Sequence, residues 1–292
     1  LLVLNGYSIY RPKFAFSFNS LKTNGYFSFG LYQMGEKLVN YFNSQFDTLL
    51  IGRMLGMEAL GIYNIAKVLA FKPYQIINPI LTNVAFPVLA KVQDDVMKLK
   101  KVYLNMIELL TMTNAPIYFV MVVWAKPIIL IFFGPQWEIA IPIFQILCIT
   151  ALCNSVINPV GSLQLAMGRA DLGFYWNLGM FVTMPLSIWI GSEWGLIGVS
   201  WSLAIFKIMI VFPAWRFFIW FLCRANAGEY FWSIGKPILL TLVSGFIASS
   251  LLFLNLNDYL SVFLGGVSLL LILFYLNMKF NKTAITNVLK LK

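Results

Sequence analysis

A stripe of polar side chains lies within an apolar stretch near the start of the chain. Gln33, Glu36, Asn40, Asn43 and Asp47 follow one another at steps of 3, 4, 3 and 4 residues, which is the spacing of one face of an α-helix. Carboxylates at membrane depth are costly when they face lipid, so this face is predicted to meet protein or water. We interpret it as a cavity lining, with an interhelical hydrogen-bond seam or a neutralised ion pair as the alternative.

Four lysines also lie inside apolar stretches: Lys37, Lys67, Lys72 and Lys207. Buried lysines without catalytic partners suit the binding of an anionic group such as a phosphate or a diphosphate. For Lys67, which is near the end of its stretch, snorkelling to the interface is the alternative. For the whole set the alternative is ion pairing with Glu36, Asp47 or Glu108.

Several kinds of chemistry are absent from the sequence. It contains no histidine, and its three cysteines lack metal-type spacing, so no metal site and no His-based catalysis are expected. No Walker A motif is present, so ATP-driven pumping by this chain and any nucleotide cofactor are not expected. The basic residues are scattered singly rather than gathered in a stripe, which argues against a nucleic-acid partner.

The apolar stretches must be long enough to hold these groups in a bilayer. The chain is 60% hydrophobic and 11% charged, too apolar for a soluble core of this size. With about 20 apolar residues needed for one crossing, the sequence predicts an all-α transmembrane helix bundle of eight spans. These are 26–51, 59–89, 103–125, 139–166, 172–191, 196–221, 235–254 and 260–278.

The charges between the spans predict the orientation. If the segment before the first span is cytoplasmic, 15 of the 21 basic residues fall on cytoplasmic segments or just inside the adjoining span ends, where Arg216 and Lys236 lie. Lys and Arg collect on that side of a membrane protein. Both ends of the chain are therefore predicted to be cytoplasmic.

Six short segments resemble a known family of transporters. They are FDTLLIGRMLG at 46–56, EALGIYNIA at 58–66, PVLAKVQD at 87–94, GPQW at 134–137, LAMGRAD at 165–171 and WGLIGV at 194–199. Together, in this order and spacing, they resemble the polysaccharide-transporter branch of the multidrug/oligosaccharidyl-lipid/polysaccharide (MOP) flippase superfamily, closest to Wzx-like exporters of lipid-linked oligosaccharides.

This resemblance carries expectations about fold and function. Family members have about fourteen helices, and the spans of this chain would match helices seven to fourteen, with the first lobe of the same protein missing. Residues 1–25 would be the end of a preceding helix and a linker, 26–222 a six-helix lobe, and 223–292 two further helices with a short tail. The implied activity is flipping of an undecaprenyl-diphosphate-linked sugar repeat unit across the bacterial inner membrane by alternating access, coupled to an ion gradient. Implied partners are membrane lipid and the polysaccharide polymerisation machinery.

Burial and charge then divide the polar residues into two candidate sets. The predicted substrate-binding set is Lys37, Asn40, Asn43, Lys67, Lys72, Gln75, Asn78 and Lys207. The predicted ion-coupling set is Glu36, Asp47 and Glu108.

Two other functions fit parts of the sequence. A drug or metabolite antiporter of the same superfamily would need a less cationic cavity. A membrane-embedded polysaccharide polymerase or ligase would need a long external loop with catalytic Arg or His residues, and the predicted outer loops are short. Transport is therefore preferred to an enzymatic role.

Overall fold

The computed structural model describes residues 20–249 and position 267, with side chains described for 27–246 and 267. Within these residues the chain is helical and contains no β-strand. The described residues leave out most of the predicted linker 1–25, the end of the seventh predicted span, the eighth span at 260–278 apart from position 267, and the C-terminal tail.

The helices are long and are joined by short turns. They are α1 Ser20–Met54, α2 Gly56–Lys91, α3 Val96–Val123, α4 Ala125–Phe133, α5 Ile141–Ile157, α6 Pro159–Ala166, α7 Ala170–Ser192, α8 Gly195–Ala214, α9 Trp220–Cys223 and α10 Ala227–Ser249. A 3₁₀ turn at Pro135–Ala140 precedes α5, and a π-helical segment at Trp215–Ile219 joins α8 to α9.

Three continuous segments of the described chain are long and apolar enough to cross a membrane: Val96–Val123, Pro135–Ala166 and Gly195–Cys223. The other long helices match predicted spans in position. Two of them are more polar than the three segments above, because α1 carries the polar stripe and α2 carries two internal lysines. The chain is thus an all-α, multi-pass membrane protein. The total of eight spans stays a prediction.

Helix α5 lies at the centre of the bundle and contacts α2, α3 and α8. Helix α1 packs along α7, α7 packs on α8, and α10 lies on α3. Two buried apolar clusters form along the bundle. One surrounds Tyr63, Phe144 and Leu147, and the other surrounds Leu99, Tyr103 and Phe218. Because lipid is as apolar as these side chains, close packing and polar contacts rather than exclusion of water hold the helices together.

The turn between α1 and α2 sets the geometry of the candidate site. Gly56 begins α2 with φ +89°, a backbone conformation that glycine adopts without a steric cost. This sharp turn brings the end of α1 against the start of α2, and Asp47 thereby meets Tyr63 and Lys67.

The turn between α2 and α3 is closed by a helix cap. The Asp95 carboxylate accepts a hydrogen bond from the Lys98 backbone N–H at 3.1 Å and pairs with the Lys98 side chain. These hydrogen bonds hold the pKa of Asp95 below its usual value, as expected for a carboxylate at a helix N-terminus.

Candidate substrate cavity

A cavity of about 620 Å³ opens between α1, α2, α5, α7 and α8. This volume lies within the range of roughly 300–1,000 Å³ that is usual for ligand pockets. Its lining combines amide, hydroxyl and aromatic side chains, among them Asn40, Asn43, Gln45, Asn64, Gln75, Asn154, Asn177, Thr48, Thr150, Phe71, Tyr74 and Trp176. A polar concavity of this kind inside a membrane bundle is suited to a hydrated ligand rather than to lipid tails.

The wall between α1 and α2 holds a buried ion pair. Lys67 Nζ lies 2.6 Å from Asp47 Oδ2, with side-chain exposures of 23% and 7%. Tyr63 donates its hydroxyl proton to the same carboxylate at 2.8 Å, and the Thr48 backbone N–H donates to Asp47 Oδ1 at 2.8 Å. The negative charge of Asp47 is therefore compensated by Lys67 and by two hydrogen-bond donors.

Lys207 of α8 reaches the same cavity from the other side. Within the described part of the chain, its ammonium group makes no hydrogen bond and has no carboxylate within ion-pair distance. Since Asp47 is already engaged by Lys67, Lys207 is the cation in this cavity that is best placed to bind an anion.

Asn43 leaves a hydrogen-bond acceptor unused beside the cavity. Its Nδ2 donates to the Asn177 carbonyl oxygen at 2.9 Å, which ties α1 to α7. Its Oδ1 is buried and finds no hydrogen-bond partner among the described residues. Such an acceptor is unfavourable when left unpaired, and a donor from a bound ligand would satisfy it.

A second, smaller cavity of about 220 Å³ adjoins the first, and Glu36 is part of its lining. The two share Asn40, Asn154 and Asn177 in their linings. Glu36 Oε1 accepts a hydrogen bond from Gln164 Nε2 at 2.7 Å. In the described part of the chain no cation lies within ion-pair distance of Glu36, so its only strong partner there is a neutral amide.

Asn78 lies outside the cavity, in a buried polar cluster that joins three helices. Its Nδ2 donates to the Ser155 carbonyl oxygen at 2.9 Å, and its Oδ1 accepts from Ser155 Oγ at 3.0 Å and from Asn114 Nδ2 at 3.3 Å. These bonds connect α2, α5 and α3 beside Pro79 and Pro116. The arrangement is structural, because it leaves Asn78 without a contact to the cavity.

The structure brings together most, but not all, of the predicted substrate-binding residues. The members that line the main cavity are Asn40, Asn43, Lys67, Gln75 and Lys207. Lys37 and Lys72 lie on exposed faces of α1 and α2 and do not line the cavity. The predicted ion-coupling residues are spread out: Asp47 is ion-paired, Glu36 lies in the smaller cavity, and Glu108 pairs at 3.4 Å with Lys236 of α10.

Several lining residues were not among the sequence predictions. Asn154 and Gln164 lie in the predicted span 139–166, and Trp176 and Asn177 lie in the span 172–191. The signal in the sequence that could have indicated these lining residues is the presence of isolated amide side chains in apolar stretches. They do not form a periodic stripe, because each helix contributes only one or two of them.

Comparison with known proteins identifies the family. A family model described as "Polysaccharide biosynthesis protein" matches residues 1–142. The teichuronic acid biosynthesis protein TuaB of Bacillus subtilis (strain 168) is 38% identical over 83% of this chain and 50% of its own length. The chain belongs to this polysaccharide biosynthesis family. A similar match, at 32% identity over 81% of this chain and 48% of the relative, is the lipopolysaccharide biosynthesis protein WzxC of Escherichia coli (strain K12).

A further polysaccharide biosynthesis relative has transport in its name. The succinoglycan biosynthesis transport protein ExoT of Rhizobium meliloti (strain 1021) is 26% identical over 72% of this chain and 43% of its own length. The chain thus spans about half the length of the curated relatives it matches. No solved structure matches it.

Proposed function

We propose that the protein to which this chain belongs moves a lipid-linked oligosaccharide across the bacterial inner membrane by alternating access, driven by an ion gradient. The chain would contribute one six-helix lobe and two further helices, with both of its ends in the cytoplasm. The names of the relatives support a polymer precursor as the cargo, since they refer to teichuronic acid, lipopolysaccharide and succinoglycan.

The polar cavity, whose Lys207 pairs with no carboxylate among the described residues, is the observation that carries this proposal. Lys207 would bind the diphosphate of an undecaprenyl-diphosphate carrier, since an ammonium group without a carboxylate partner attracts a phosphate oxygen. The surrounding amides would bind sugar hydroxyls. Asn43 Oδ1, which has no hydrogen-bond partner among the described residues, would accept a hydrogen bond from one of them. Trp176 and Tyr74 add flat apolar faces to the same lining.

Glu36 is the described carboxylate best placed for ion coupling. Asp47 is neutralised by Lys67, and Glu108 lies at the α3–α10 contact with Lys236. Glu36 instead lines a small cavity that adjoins the main one and accepts a hydrogen bond from a neutral amide. Because the hydrogen-bond partner of Glu36 is a neutral amide, and the neighbouring Lys37 is exposed and outside ion-pair distance, uptake of a proton or a cation would change the charge of this site.

Complementation tests the proposal. The chain would be joined to the first half of TuaB and expressed in a strain that lacks its own oligosaccharide-lipid flippase, with surface polysaccharide as the readout. Restored polysaccharide is the expected result. A chimera that reaches the membrane in normal amounts and restores nothing, with several different repeat units supplied, would count against export of lipid-linked sugars.

A matched pair of variants tests the role of Glu36. Glu36→Gln keeps the hydrogen bond to Gln164 but cannot change charge, and we expect it to lower export at least tenfold. Glu138→Gln, in an exposed pair with Lys126, is the control and should export normally. Equal export by both variants would exclude Glu36 as the coupling group.

A further inference from the structure

The end of α9 concentrates positive charge around one indole ring. The Arg216 guanidinium lies 4.1 Å from the centre of the Trp220 ring, and the Arg224 guanidinium lies 4.9 Å from it. Arg216 lies in the π-helical segment before α9, Trp220 begins α9, and Arg224 follows its last residue, so the two guanidinium groups meet the ring from either end of this short helix. Both arginines are exposed, so their N–H groups are open to a ligand.

No carboxylate compensates this pair in the described part of the chain. Glu229, the nearest acidic residue in sequence, binds Lys100 at 2.8 Å and the Asn226 backbone N–H at 2.9 Å. The neighbouring Arg169 differs, since Asp171 holds it through two hydrogen bonds at 2.8 and 2.9 Å. Two guanidinium groups therefore lie against one indole ring without a counterion from these residues.

The local backbone is shaped to keep them there. The π-helical segment Trp215–Ile219 interrupts the helix just before Trp220, and such insertions are frequent at functional sites. Arg224 ends α9 with φ +55°, the one left-handed non-glycine conformation among the described residues. Trp215 Nε1 donates to the Ala225 carbonyl oxygen at 3.0 Å and fixes this turn against the helix.

The position fits the boundary between lipid tails and headgroups. The membrane-crossing segment Gly195–Cys223 ends at this turn, and Arg216 lies about two helical turns inside its end. Phe217 and Phe221, 63% and 45% exposed, follow Arg216 and Trp220 in the chain, and the Arg169 guanidinium lies 5.3 Å from the centre of the Phe221 ring. An exposed apolar surface next to two cations matches a ligand with a phosphate at one end and acyl chains at the other.

We infer that Arg216 and Arg224, held on Trp220, form a binding site for the headgroup of an anionic glycerophospholipid such as phosphatidylglycerol. The guanidinium groups would donate to the phosphate oxygens, and the acyl chains would lie along Phe217 and Phe221. This site is separate from the substrate cavity and does not depend on the proposed cargo.

The test is a lipid titration of the full 292-residue chain purified in detergent, followed by native mass spectrometry. Dioleoylphosphatidylglycerol should bind at least tenfold more tightly than dioleoylphosphatidylcholine. Arg216→Ala/Arg224→Ala should weaken binding of the anionic lipid about tenfold, with little change for the zwitterionic one. Arg216→Lys/Arg224→Lys should fall between, because lysine keeps the charge but not the planar, bidentate geometry.

The control is Lys91→Ala/Lys101→Ala, which removes the same charge from exposed positions at the α2–α3 connection. It should change the affinity less than about twofold.

An equal loss in the control, or no preference for the anionic lipid in the unmodified chain, would overturn the site. Displacement of the lipid by inorganic phosphate at equal concentration would show an anion site without lipid recognition, and would also overturn it. If the double alanine variant does not fold, as judged by circular dichroism, Arg216→Gln/Arg224→Gln replaces it.

Discussion

The two carboxylates of the α1 stripe differ in their partners, since Asp47 pairs with a lysine and the half-buried Glu36 binds a side-chain amide. Asp47 is compensated by Lys67 at 2.6 Å, whereas Glu36 is bound by Gln164 at 2.7 Å. The first arrangement fixes α1 to α2, and the second leaves a group whose charge can change. The two carboxylates of the stripe therefore have separate roles, one in structure and one in the proposed ion coupling.

The ion pair predicts an asymmetric response to mutation. Asp47→Asn leaves Lys67 positive beside a cavity with no counter-charge, and removing one member of a buried pair costs about 3–5 kcal/mol. Lys67 is 23% exposed, so we expect about 2 kcal/mol. Asp47→Asn/Lys67→Met should cost less than the single change. Thermal unfolding in detergent measures both, and a double variant less stable than Asp47→Asn would contradict the pairing argument.

The lysines predict a ranking of export defects. Lys207→Gln removes the cation that lines the cavity without a described partner and should lower export at least tenfold. Lys72→Gln alters an exposed lysine outside the cavity and should have a smaller effect. Surface polysaccharide produced by the complementing chimera measures both. A Lys72→Gln defect as large as that of Lys207→Gln would show that the exposed face of α2 also binds the cargo.

Sequence periodicity predicted which face of α1 would line the cavity, but it could not predict which lysines face the cavity. Asn40, Asn43 and Asp47 line the cavity, as the stripe predicts. Lys72 follows Lys67 by five residues, which rotates it by about 140° around the helix to another face. Which face meets the cavity depends on α5, α7 and α8, and these partners are distant in sequence. The amides of those helices were missed for the same reason.

At the scale of helices, α1 and α7 approach closely at a glycine. A Cβ at Gly173 would lie 2.5 Å from Glu36 Oε1 and closer still to Gln164 Nε2. Gly173→Ala is therefore expected to displace the Glu36 and Gln164 side chains, to break the hydrogen bond between them and to cost about 1 kcal/mol. Gly179→Ala, on the same helix with nothing within 4 Å of its Cβ, is the matched control and should be neutral or slightly stabilising. Unfolding temperatures that fall equally for both would refute the close-contact argument.

The attachment of α10 to α3 should depend on pH. The hydrogen bond from Lys100 holds the pKa of Glu229 below its ordinary value of 4.5. The stabilisation is then fully present above that ordinary value and is lost as the pH falls through the lower folded-state pKa. Glu229→Gln should lower the unfolding temperature by about 1–2 °C at pH 7, and the difference should shrink below pH ~4. A difference that stays constant down to pH ~3 would contradict this account.

The predicted spans gave the helix positions but not their interruptions. The spans 59–89 and 172–191 lie inside α2 and α7, whose apolar stretches are continuous. The span 139–166 is divided into α5 and α6, because Pro159 begins a new helix after Asn158. The π-helical segment at Trp215–Ile219 has no such sequence signal. It depends on how the end of α8 packs against neighbouring helices.

At the scale of the whole molecule, the predicted orientation can be tested by labelling. Lys98→Cys and Glu138→Cys place thiols at exposed positions in the first turn of α3 and in the 3₁₀ turn. With both ends of the chain in the cytoplasm, a membrane-impermeant maleimide should label the Glu138→Cys protein in intact cells. It should label the Lys98→Cys protein only after permeabilisation. The unmodified chain, whose three cysteines are buried or half-buried, is the background control, and the reverse pattern would invert the topology.

The left-handed turn at Arg224 has a consequence for protein engineering. Glycine adopts this conformation freely, whereas arginine at φ +55° lowers stability by roughly 1 kcal/mol. A design protocol that optimises folding stability alone would replace Arg224 with glycine and would obtain a better-behaved protein in detergent. The same substitution would remove one of the two guanidinium groups on Trp220. A chain that is thermostabilised by Arg224→Gly is therefore expected to lose its preference for anionic lipid. A structure of that variant would lack the proposed lipid contact.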